Sequence, residues 1–427
     1  MVIGKIIFNV HLALLLLGTS LCQAADIKPD DNPDSSETSA IDFEAIYKAD
    51  VMNTVFGGLK RGTSSLSNLD LKLTLDGEKM LGWHDTIFFL YGLSNQGGRP
   101  NGRHSGTAQG IDNIEVDTNT AKLYQAWAQR GFLSSRLTLL AGLYDLNSEF
   151  YVSDTSSLFL HPALGIGSDF SQSGQNGPSI FPTASLALRA KAQPTPDFYL
   201  QVAALDGVPG DPNNPHGTHI QLNKGEGTLV VAEAGYMRGD HQQVFISDRD
   251  RDEKSALAFG KYAFGVWHYS LPFDDLTAVD GAGNPIKQHN QGIYFLAEQA
   301  LYHETNEPSQ GLAVFLRLGV VNDDVNRFDQ CFYVGAVYTG PIEGRDTDQI
   351  GLTYGSVRNS SKYMAAQSSA GIPAEKSESV WELSYRSQLT PWLAVQPDFQ
   401  YITHPDTNPQ LGNATVLGIR IEMSLHW

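Results

Sequence analysis

The eleven residues LGIRIEMSLHW, at positions 417–427, decide the fold. Their odd positions are all apolar, whereas their even positions include Arg420, Glu422 and His426. A side-chain period of two is typical of an extended strand. About ten residues of tilted strand cross the hydrocarbon core of a bilayer, so this segment is long enough to span it. A shift by one residue would turn Arg420 toward lipid, which costs roughly 2 to 4 kcal/mol for a basic side chain at mid-depth, so the apolar face must point outward.

The same alternation returns along the chain, as in residues 68–76, where four leucines alternate with five polar residues. One such segment alone fits a half-buried strand of a soluble sandwich better, but its repetition favours a barrel. Counting back from the C-terminus, we predict strands near residues 414–427, 392–403, 379–389, 347–357, 328–339, 311–321, 290–302, 258–270, 228–237, 197–205, 181–193, 136–144, 120–130, 82–94, 66–76 and 44–58. The sequence therefore predicts an all-β fold, a transmembrane antiparallel β-barrel of about 16 strands.

The connections between these strands are of two kinds. Tight ones, which use residues that favour turns, are predicted at 76–79, 194–197, 341–346 and 390–391. Long ones are predicted at 96–119, 145–180, 206–226, 271–289, 359–378 and 404–413. Short periplasmic turns on one rim and long extracellular loops on the other are typical of bacterial outer-membrane barrels.

The N-terminus reads as a targeting segment. Residues 1–24 combine Lys5, an apolar core and small residues near Ala24, a pattern that predicts a cleaved signal peptide. Residues 25–42 are predicted to be a disordered acidic leader, and residues 43–427 the barrel. After cleavage only Cys331 remains, so no intrachain disulfide is expected. No later stretch is apolar enough for a membrane helix, and the net charge of −18 argues against nucleic acid as a partner.

The alternation also names the side chains that point into the barrel. If apolar residues face lipid, their polar neighbours face an aqueous interior, and both signs of charge there suit a neutral solute rich in hydroxyl groups. The alternative reading is that these groups only pair with each other and stiffen the wall. The predicted pore-lining residues are Lys72, Arg189, Lys191, Arg317, Glu382, Arg386, Asp398, Arg420 and Glu422.

Four segments narrow the family. They are GLYDLNSEF at 142–150, GIYFLAEQ at 292–299, GLAVFLRLG at 311–319 and VQPDFQYI at 395–402. From about residue 43 onward the chain resembles the carbohydrate-selective porin family, OprB.

The resemblance implies a sixteen-stranded barrel of the Gram-negative outer membrane that passes small carbohydrates by facilitated diffusion. It also implies an inward-folded loop that narrows the pore, which makes 145–180 the constriction candidate, with Asp145, Asn147 and Glu149 at its start and Glu149 as a further pore-lining residue. Trp427 is similar to the aromatic ending that the barrel-assembly machinery reads. The implied surroundings are outer-membrane lipid and lipopolysaccharide, and assembly as a homo-oligomer is left open.

Other functions find less support. The chain has no nucleophile elbow, no phosphate-binding loop and no zinc-protease motif, so we expect no catalytic residues, metal or cofactor. Asp248, Asp250 and Asp252 alternate as in a calcium loop, but the required glycine and glutamate are missing, and His216 and His219 lack a third ligand. The remaining alternatives are a general or cation-preferring porin, a barrel-embedded lipid or glycan hydrolase, and a secreted carbohydrate-binding β-protein.

Overall fold

The described chain forms one closed sheet of sixteen antiparallel strands. The computed structural model describes residues 39–238, 259–305, 307 and 309–427. Each strand pairs with its neighbours in sequence, and the last returns to the first. The strands are β1 (Ile41–Gly58), β2 (Gly62–Asp76), β3 (Thr86–Gly97), β4 (Thr120–Phe132), β5 (Leu137–Tyr144), β6 (Ser185–Thr195), β7 (Phe198–Asp206), β8 (Thr228–Arg238), β9 (Gly260–Val279), β10 (Pro285–His303), β11 (Gly311–Val321), β12 (Phe328–Thr339), β13 (Gln349–Asn359), β14 (Ser377–Thr390), β15 (Leu393–Thr403) and β16 (Gly412–His426).

The closure between β1 and β16 is continuous. Its register places Asp50 opposite Arg420, and the guanidinium donates to the Asp50 carboxylate at 2.9 and 2.6 Å. At the far end, the backbone amides of Phe43 and Trp427 donate to each other's carbonyl oxygens at 3.1 and 3.0 Å. The predicted barrel, with its first and last hairpins joined, is therefore confirmed.

The two faces of the sheet differ as the sequence pattern predicts. In β6, Leu188 is 67% exposed on the outer face, whereas its neighbour Arg189 is 2% exposed on the inner face. In β16, Leu417, Ile419 and Ile421 are all exposed to the outside. A barrel in a membrane needs an apolar outer face toward the lipid and a polar inner face toward the aqueous lumen, and this sheet has both.

All sixteen predicted strands are present, but one predicted loop is wrong. The long loop predicted at 271–289 shrinks to residues 280–284, because β9 continues to Val279 and β10 already begins at Pro285. Residues 271–279 looked like a loop because they contain proline and aspartate, yet the backbone pairing continues and Lys287 forms an ion pair with Asp274 at 2.7 Å. In β4, Trp127 faces inward and stacks on Phe89 at 4.9 Å between ring centroids.

The described helices all lie in connections. They are α1 (Gly77–Leu81), α2 (Ser168–Ser171) and α3 (Ser361–Ser369), with single turns of tighter helix at Leu146–Ser148, Thr155–Leu158, Pro162–Leu164 and Pro405–Thr407 and one π-turn at Asn101–Ser105. Asp76 caps the N-terminus of α1, and its carboxylate accepts the amides of Glu78 and Lys79 at 2.9 and 3.1 Å. In the described chain, no helix has both the length and the apolar composition needed to cross a membrane.

Several sequence predictions fall outside the described residues. These are the signal peptide at 1–24, the leader up to residue 38, and Asp248, Asp250 and Asp252. The final two residues assigned to the leader, Ile41 and Asp42, belong to β1.

Candidate functional site

Two connections fold into the barrel. The first inward loop comprises residues 98–119 between β3 and β4, and the second inward loop comprises residues 145–184 between β5 and β6. Both leave the barrel end that carries the longer loops, which we call the long-loop rim; the opposite end is the short-turn rim. Within them Ile111, Leu146 and Phe150 are fully buried. The two loops meet where the side-chain amide of Gln172 donates to the Ala108 carbonyl at 2.7 Å.

Wall carboxylates hold the second inward loop by its backbone amides. Glu233 on β8 accepts the Tyr151 amide at 2.9 Å, and Glu298 on β10 accepts the Thr155 amide at 2.9 Å. Glu382 on β14 accepts the amides of Leu160 and His161 at 2.6 and 3.3 Å. These three carboxylates stand on strands around the barrel, so the loop is fastened across the lumen.

Wall donors hold the carbonyl oxygens of the same loop. Arg317 on β11 is fully buried and donates to the carbonyls of Tyr151, Leu164 and Gly165, the last at 2.6 Å. Its guanidinium also lies over the Tyr151 ring at 4.4 Å from the centroid. Gln396 on β15 donates to the Leu158 carbonyl at 2.6 Å. The wall thus offers acceptors to loop amides and donors to loop carbonyls.

A buried ion pair fixes the start of the second inward loop. Glu149 accepts two hydrogen bonds from Arg189, at 2.8 and 3.1 Å, and a third from the Tyr144 hydroxyl at 2.7 Å. Just before it, the Asp145 carboxylate accepts the Asn147 amide at 2.8 Å. The Asn147 side chain then donates to the Phe150 carbonyl at 3.1 Å, so these residues shape the entry of the loop.

The first inward loop is held in the same manner. Glu378 on β14 accepts the amides of Ala108 and Gln109 at 2.8 and 3.0 Å. Gln400 on β15 donates to the Ile111 carbonyl at 2.8 Å, and Arg420 on β16 donates to the Asn113 side chain at 2.7 Å. Together the two loops bond to wall residues on β6, β8, β10, β11, β14, β15 and β16.

Glycines in the wall leave room for the second inward loop. A Cβ added to Gly319 would lie 2.0 Å from a carboxylate oxygen of Asp169, and one added to Gly351 would lie 2.7 Å from the Leu158 side chain. Burial raises the pKa of the Asp169 carboxyl and lowers the pKa of His161 in the same loop to about 3. The loop is therefore packed closely against the wall, and its polar groups are buried.

A second set of inward side chains keeps partial exposure. We call it the open ladder, and it lies closer to the short-turn rim than the anchors do. It joins Lys72 to Glu44 at 2.7 Å and Arg386 to Glu422 at 2.9 Å, with side chains between 23 and 30% exposed. Its members are Glu44, Lys48, Lys72, Lys191, Arg386 and Glu422.

One aromatic ring stands beside this ladder. Tyr91 on β3 donates from its hydroxyl to Asp70 at 2.7 Å, and its ring centroid lies 5.7 Å from Lys72 Nζ. Lys48 approaches the same Asp70 at 3.6 Å. The ladder thus combines donors, acceptors and an aromatic ring on one part of the inner wall.

The predicted pore-lining residues fall into these two environments. Glu149 and the nine strand residues all face the interior, but the loops cover six of them, and the sequence prediction did not foresee this cover. The covered residues are Glu149, Arg189, Arg317, Glu382, Asp398 and Arg420, and the partly exposed residues are Lys72, Lys191, Arg386 and Glu422.

Sequence reasoning missed the first inward loop and part of the ladder. Ile111, Ile114 and Val116 were a usable signal, because apolar residues in a predicted external loop have no surface on which to pack. Among the described residues no three His, Cys, Asp or Glu side chains cluster as metal ligands. His219 instead places its Nε2 2.7 Å from the carbonyl oxygen of His216.

Comparison with known proteins shows which proteins this barrel is similar to. Residues 60–425 match the model of the family described as "Carbohydrate-selective porin, OprB family". Porin B of Pseudomonas aeruginosa is 26% identical over 415 residues, which cover 89% of this chain and 87% of that protein. The high-pH structure of Pseudomonas putida OprB superposes with a TM-score of 0.77 at 22% identity, covering 90% of this chain and 94% of that one. The outer membrane channel DcaP of Acinetobacter baumannii shares the fold at a TM-score of 0.52 and 10% identity, with 90% and 97% covered.

Proposed function

The chain belongs to the OprB family of carbohydrate-selective porins, and from this premise we propose that it lets small carbohydrates diffuse passively across the Gram-negative outer membrane. The matched span takes in β2 to β16, which is nearly the whole barrel. Porins are channels, and on this ground we infer that the chain is not an enzyme.

The open ladder is the observation that carries the sugar preference. Lys72 and Arg386 offer N–H donors, and Glu44 and Glu422 offer acceptors, in pairs at 2.7 and 2.9 Å. A sugar hydroxyl both donates and accepts, so it can replace one partner of such a pair without adding a charge. Exchange between similar hydrogen bonds gives weak binding, which is what transit through a channel requires.

The aromatic ring strengthens this assignment. Tyr91 stands beside Lys72, and a pyranose ring presents C–H groups that pack against an aromatic face while its hydroxyls reach the charged side chains. Each cation of the ladder pairs with a carboxylate, two of which, Asp70 and Glu149, lie at the covered level, so the ladder does not select for a charged solute by simple attraction.

We infer a different task for the covered residues. Arg317, Glu382 and Arg420 bond to the inward loops, so they set the width of the passage instead of contacting the solute along its way. Asp145, Asn147 and Glu149 fix the base of the second inward loop and thereby the position of the constriction.

Further partners follow from the location. We propose that outer-membrane lipid and lipopolysaccharide surround the apolar outer face, and that the assembly machinery recognises the C-terminal strand through Trp427. Assembly as a homo-oligomer remains a separate proposal that the ladder does not require.

Single-channel recording in planar bilayers tests the sugar preference. Ion current through the reconstituted protein should fall as glucose is added, and should fall less with a neutral amino acid of similar size. Liposome swelling with the same two solutes provides a second measurement. Equal permeation of both solutes together with no block by sugar would contradict the proposal.

A general or cation-preferring porin is the competing function, and the net charge of −18 is the observation that favours it. Reversal potentials in a gradient of potassium chloride distinguish the two. A strong cation preference without sugar block would support the competitor, whereas sugar block with weak ion selectivity would support the sugar-preferring channel.

A further inference from the structure

A groove crosses the outer face of β3 to β7 near the short-turn rim. Its volume is about 590 Å³. The strand register aligns Phe88, Ala128, Ala141 and Leu188 in one row across four neighbouring strands. The two alanines form the floor, and Phe88 and Leu188 form the walls. Neighbouring strands lie about 4.8 Å apart, so the two walls stand roughly 14 Å from each other.

One end of the groove carries a cation. Arg130 follows Ala128 on the same face of β4, two residues closer to the short-turn rim, and it is exposed. Its guanidinium lies 5.7 Å from the centroid of the Phe132 ring. Among the residues that the structure describes, Arg130 forms no ion pair, and no carboxylate lines the groove.

An aromatic residue marks the same level. Trp83, in the connection between β2 and β3, is 54% exposed, and its ring lies 5.8 Å from that of Phe88. Tryptophan is enriched where acyl chains meet headgroups. Because short turns of such barrels face the periplasm, Trp83 and Arg130 stand at the headgroup level of the periplasmic leaflet.

We propose that this groove binds one glycerophospholipid with an anionic headgroup from the periplasmic leaflet. An acyl chain lies over Ala128 and Ala141 between the walls, and the phosphate accepts hydrogen bonds from Arg130. A guanidinium presents a planar fork of donors that matches a phosphate, and lipid supplies the apolar cover that this lipid-facing groove needs. The groove is outside the barrel, so this inference does not depend on which solute the channel passes.

Intact-protein mass spectrometry under gentle detergent conditions tests the site. The full-length mature protein is offered an equimolar mixture of phosphatidylglycerol and phosphatidylethanolamine. The native protein should retain one phosphatidylglycerol molecule in preference to phosphatidylethanolamine. Arg130→Gln should lower that retention about tenfold, as expected for the loss of a charge-assisted contact, and Ala141→Phe should lower retention of both lipids by filling the groove.

Ala336→Phe is the matched control. Ala336 also faces outward, but on β12 between Val314 and Leu352, away from the groove, so it should leave lipid retention unchanged. Heat-dependent gel migration reports whether each variant folds. If Ala141→Phe fails to fold, retention of phosphatidylglycerol by Arg130→Gln alone tests the site.

Three outcomes would overturn the proposal. In the first, the native protein retains no phosphatidylglycerol. In the second, it retains both lipids equally, and Arg130→Gln retains as much lipid as the native protein. In the third, it forms a dimer that Ala141→Phe converts to a monomer, which would make a second copy of the chain the occupant of the groove. Sugar block of the channel should be the same in the native protein and in Arg130→Gln under every one of these outcomes, so failure here leaves the proposed function standing.

Discussion

Four strands carry two successive inward residues whose surroundings differ. At the level of the inward loops, Asp50, Asp70, Arg189 and Arg420 are at most 5% exposed. Two residues closer to the short-turn rim, on the same face of the same strands, the side chains of Lys48, Lys72, Lys191 and Glu422 are 18 to 30% exposed. The strand pattern is the same at both levels, and the inward loops account for part of the difference, because Arg189 bonds to Glu149 and Arg420 to Asn113. Asp70 is instead covered by its wall neighbours Asn68 and Tyr91.

This comparison separates two kinds of charge. A covered charge has lost its water and depends on its loop partners, so removing one partner is strongly destabilising. A partly exposed pair such as Arg386 with Glu422 contributes less, on the order of 1 kcal/mol, because water and salt reach it and screen it. Covered residues should therefore control stability and channel width, whereas the open ladder should control solute binding.

Replacing the most covered cation should have the largest effect. Arg317→Met would remove the side-chain donor from the buried Tyr151 carbonyl, and an unsatisfied buried group of this kind costs about 1 to 3 kcal/mol. The carbonyls of Leu164 and Gly165 would each lose one donor but keep a second, from Ser156 Oγ at 2.9 Å and from Asn147 Nδ2 at 3.2 Å. We expect a lower unfolding midpoint in denaturant and a larger single-channel conductance, because the second inward loop loses its anchor. Arg386→Met makes the same chemical change in the open ladder and should shift the midpoint little. Equal destabilisation by both variants would remove the distinction between the two levels.

A smaller effect is expected where the wall leaves space for the loop. Gly319→Ala would place a methyl group against the Asp169 carboxylate, and overpacking of this kind costs about 1 to 3 kcal/mol. The unfolding midpoint should fall and the conductance should rise. The double variant Gly319→Ala with Asp169→Ala should recover part of both values, since the methyl group then fills the space that the carboxylate leaves, while the Cys331 sulfur remains 2.8 Å from it. No recovery would indicate that Gly319 has another role.

The covered level should also respond to pH through His161. Burial lowers its pKa to about 3, and neither ring nitrogen has a hydrogen-bond partner among the described residues. In the unfolded chain the pKa is near 6.5, so the unfolded state binds the proton first as pH falls, and stability decreases below pH 6.5. At pH 5 the loss amounts to roughly 2 kcal/mol.

Denaturant unfolding at pH 7.5 and pH 5 measures this effect as a difference between proteins. His161→Gln should lose less stability between the two pH values than the native protein does. His84→Gln provides a comparison, because it removes an exposed histidine that lies 2.7 Å from Glu78, far from the covered level. If all three proteins lose the same stability, other groups carry the pH dependence.

The barrel itself was predictable because lipid imposes a local rule. Two adjacent residues are enough to show which way each side chain points: Leu188 faces out and Arg189 faces in, and Ile421 faces out and Arg420 faces in. The anchoring contacts follow no such rule, because Glu382 and the Leu160 amide that it accepts are 222 residues apart. A sequence pattern can therefore identify an inward residue without revealing which loop covers it.

The missed ladder residues have a physical explanation as well. Near Lys48 the outward positions are Ala45, Tyr47 and Ala49, and the inward face carries the apolar Ile46, so the two faces differ little in polarity. Tyr91 adjoins a register irregularity at Gly92, which interrupts the period of two. Alternation predicts direction well only where the two faces differ in polarity and the pairing is regular.

The smallest effect on stability, and the sharpest on function, should come from the open ladder. Arg386→Gln keeps hydrogen-bonding capacity but removes the charge that pairs with Glu422 at 2.9 Å, so stability should change by less than about 1 kcal/mol. Sugar block of the single-channel current should weaken several-fold, because Gln presents fewer donors than the guanidinium fork. Gln388→Ala, on the next inward position of β14, serves as the control, since it removes a neutral partner of Arg386 and leaves the charge in place. If sugar blocked the current through Arg386→Gln as strongly as the current through the native protein, the open ladder would not be where the sugar binds. The edges of the two inward loops would then be the remaining candidates.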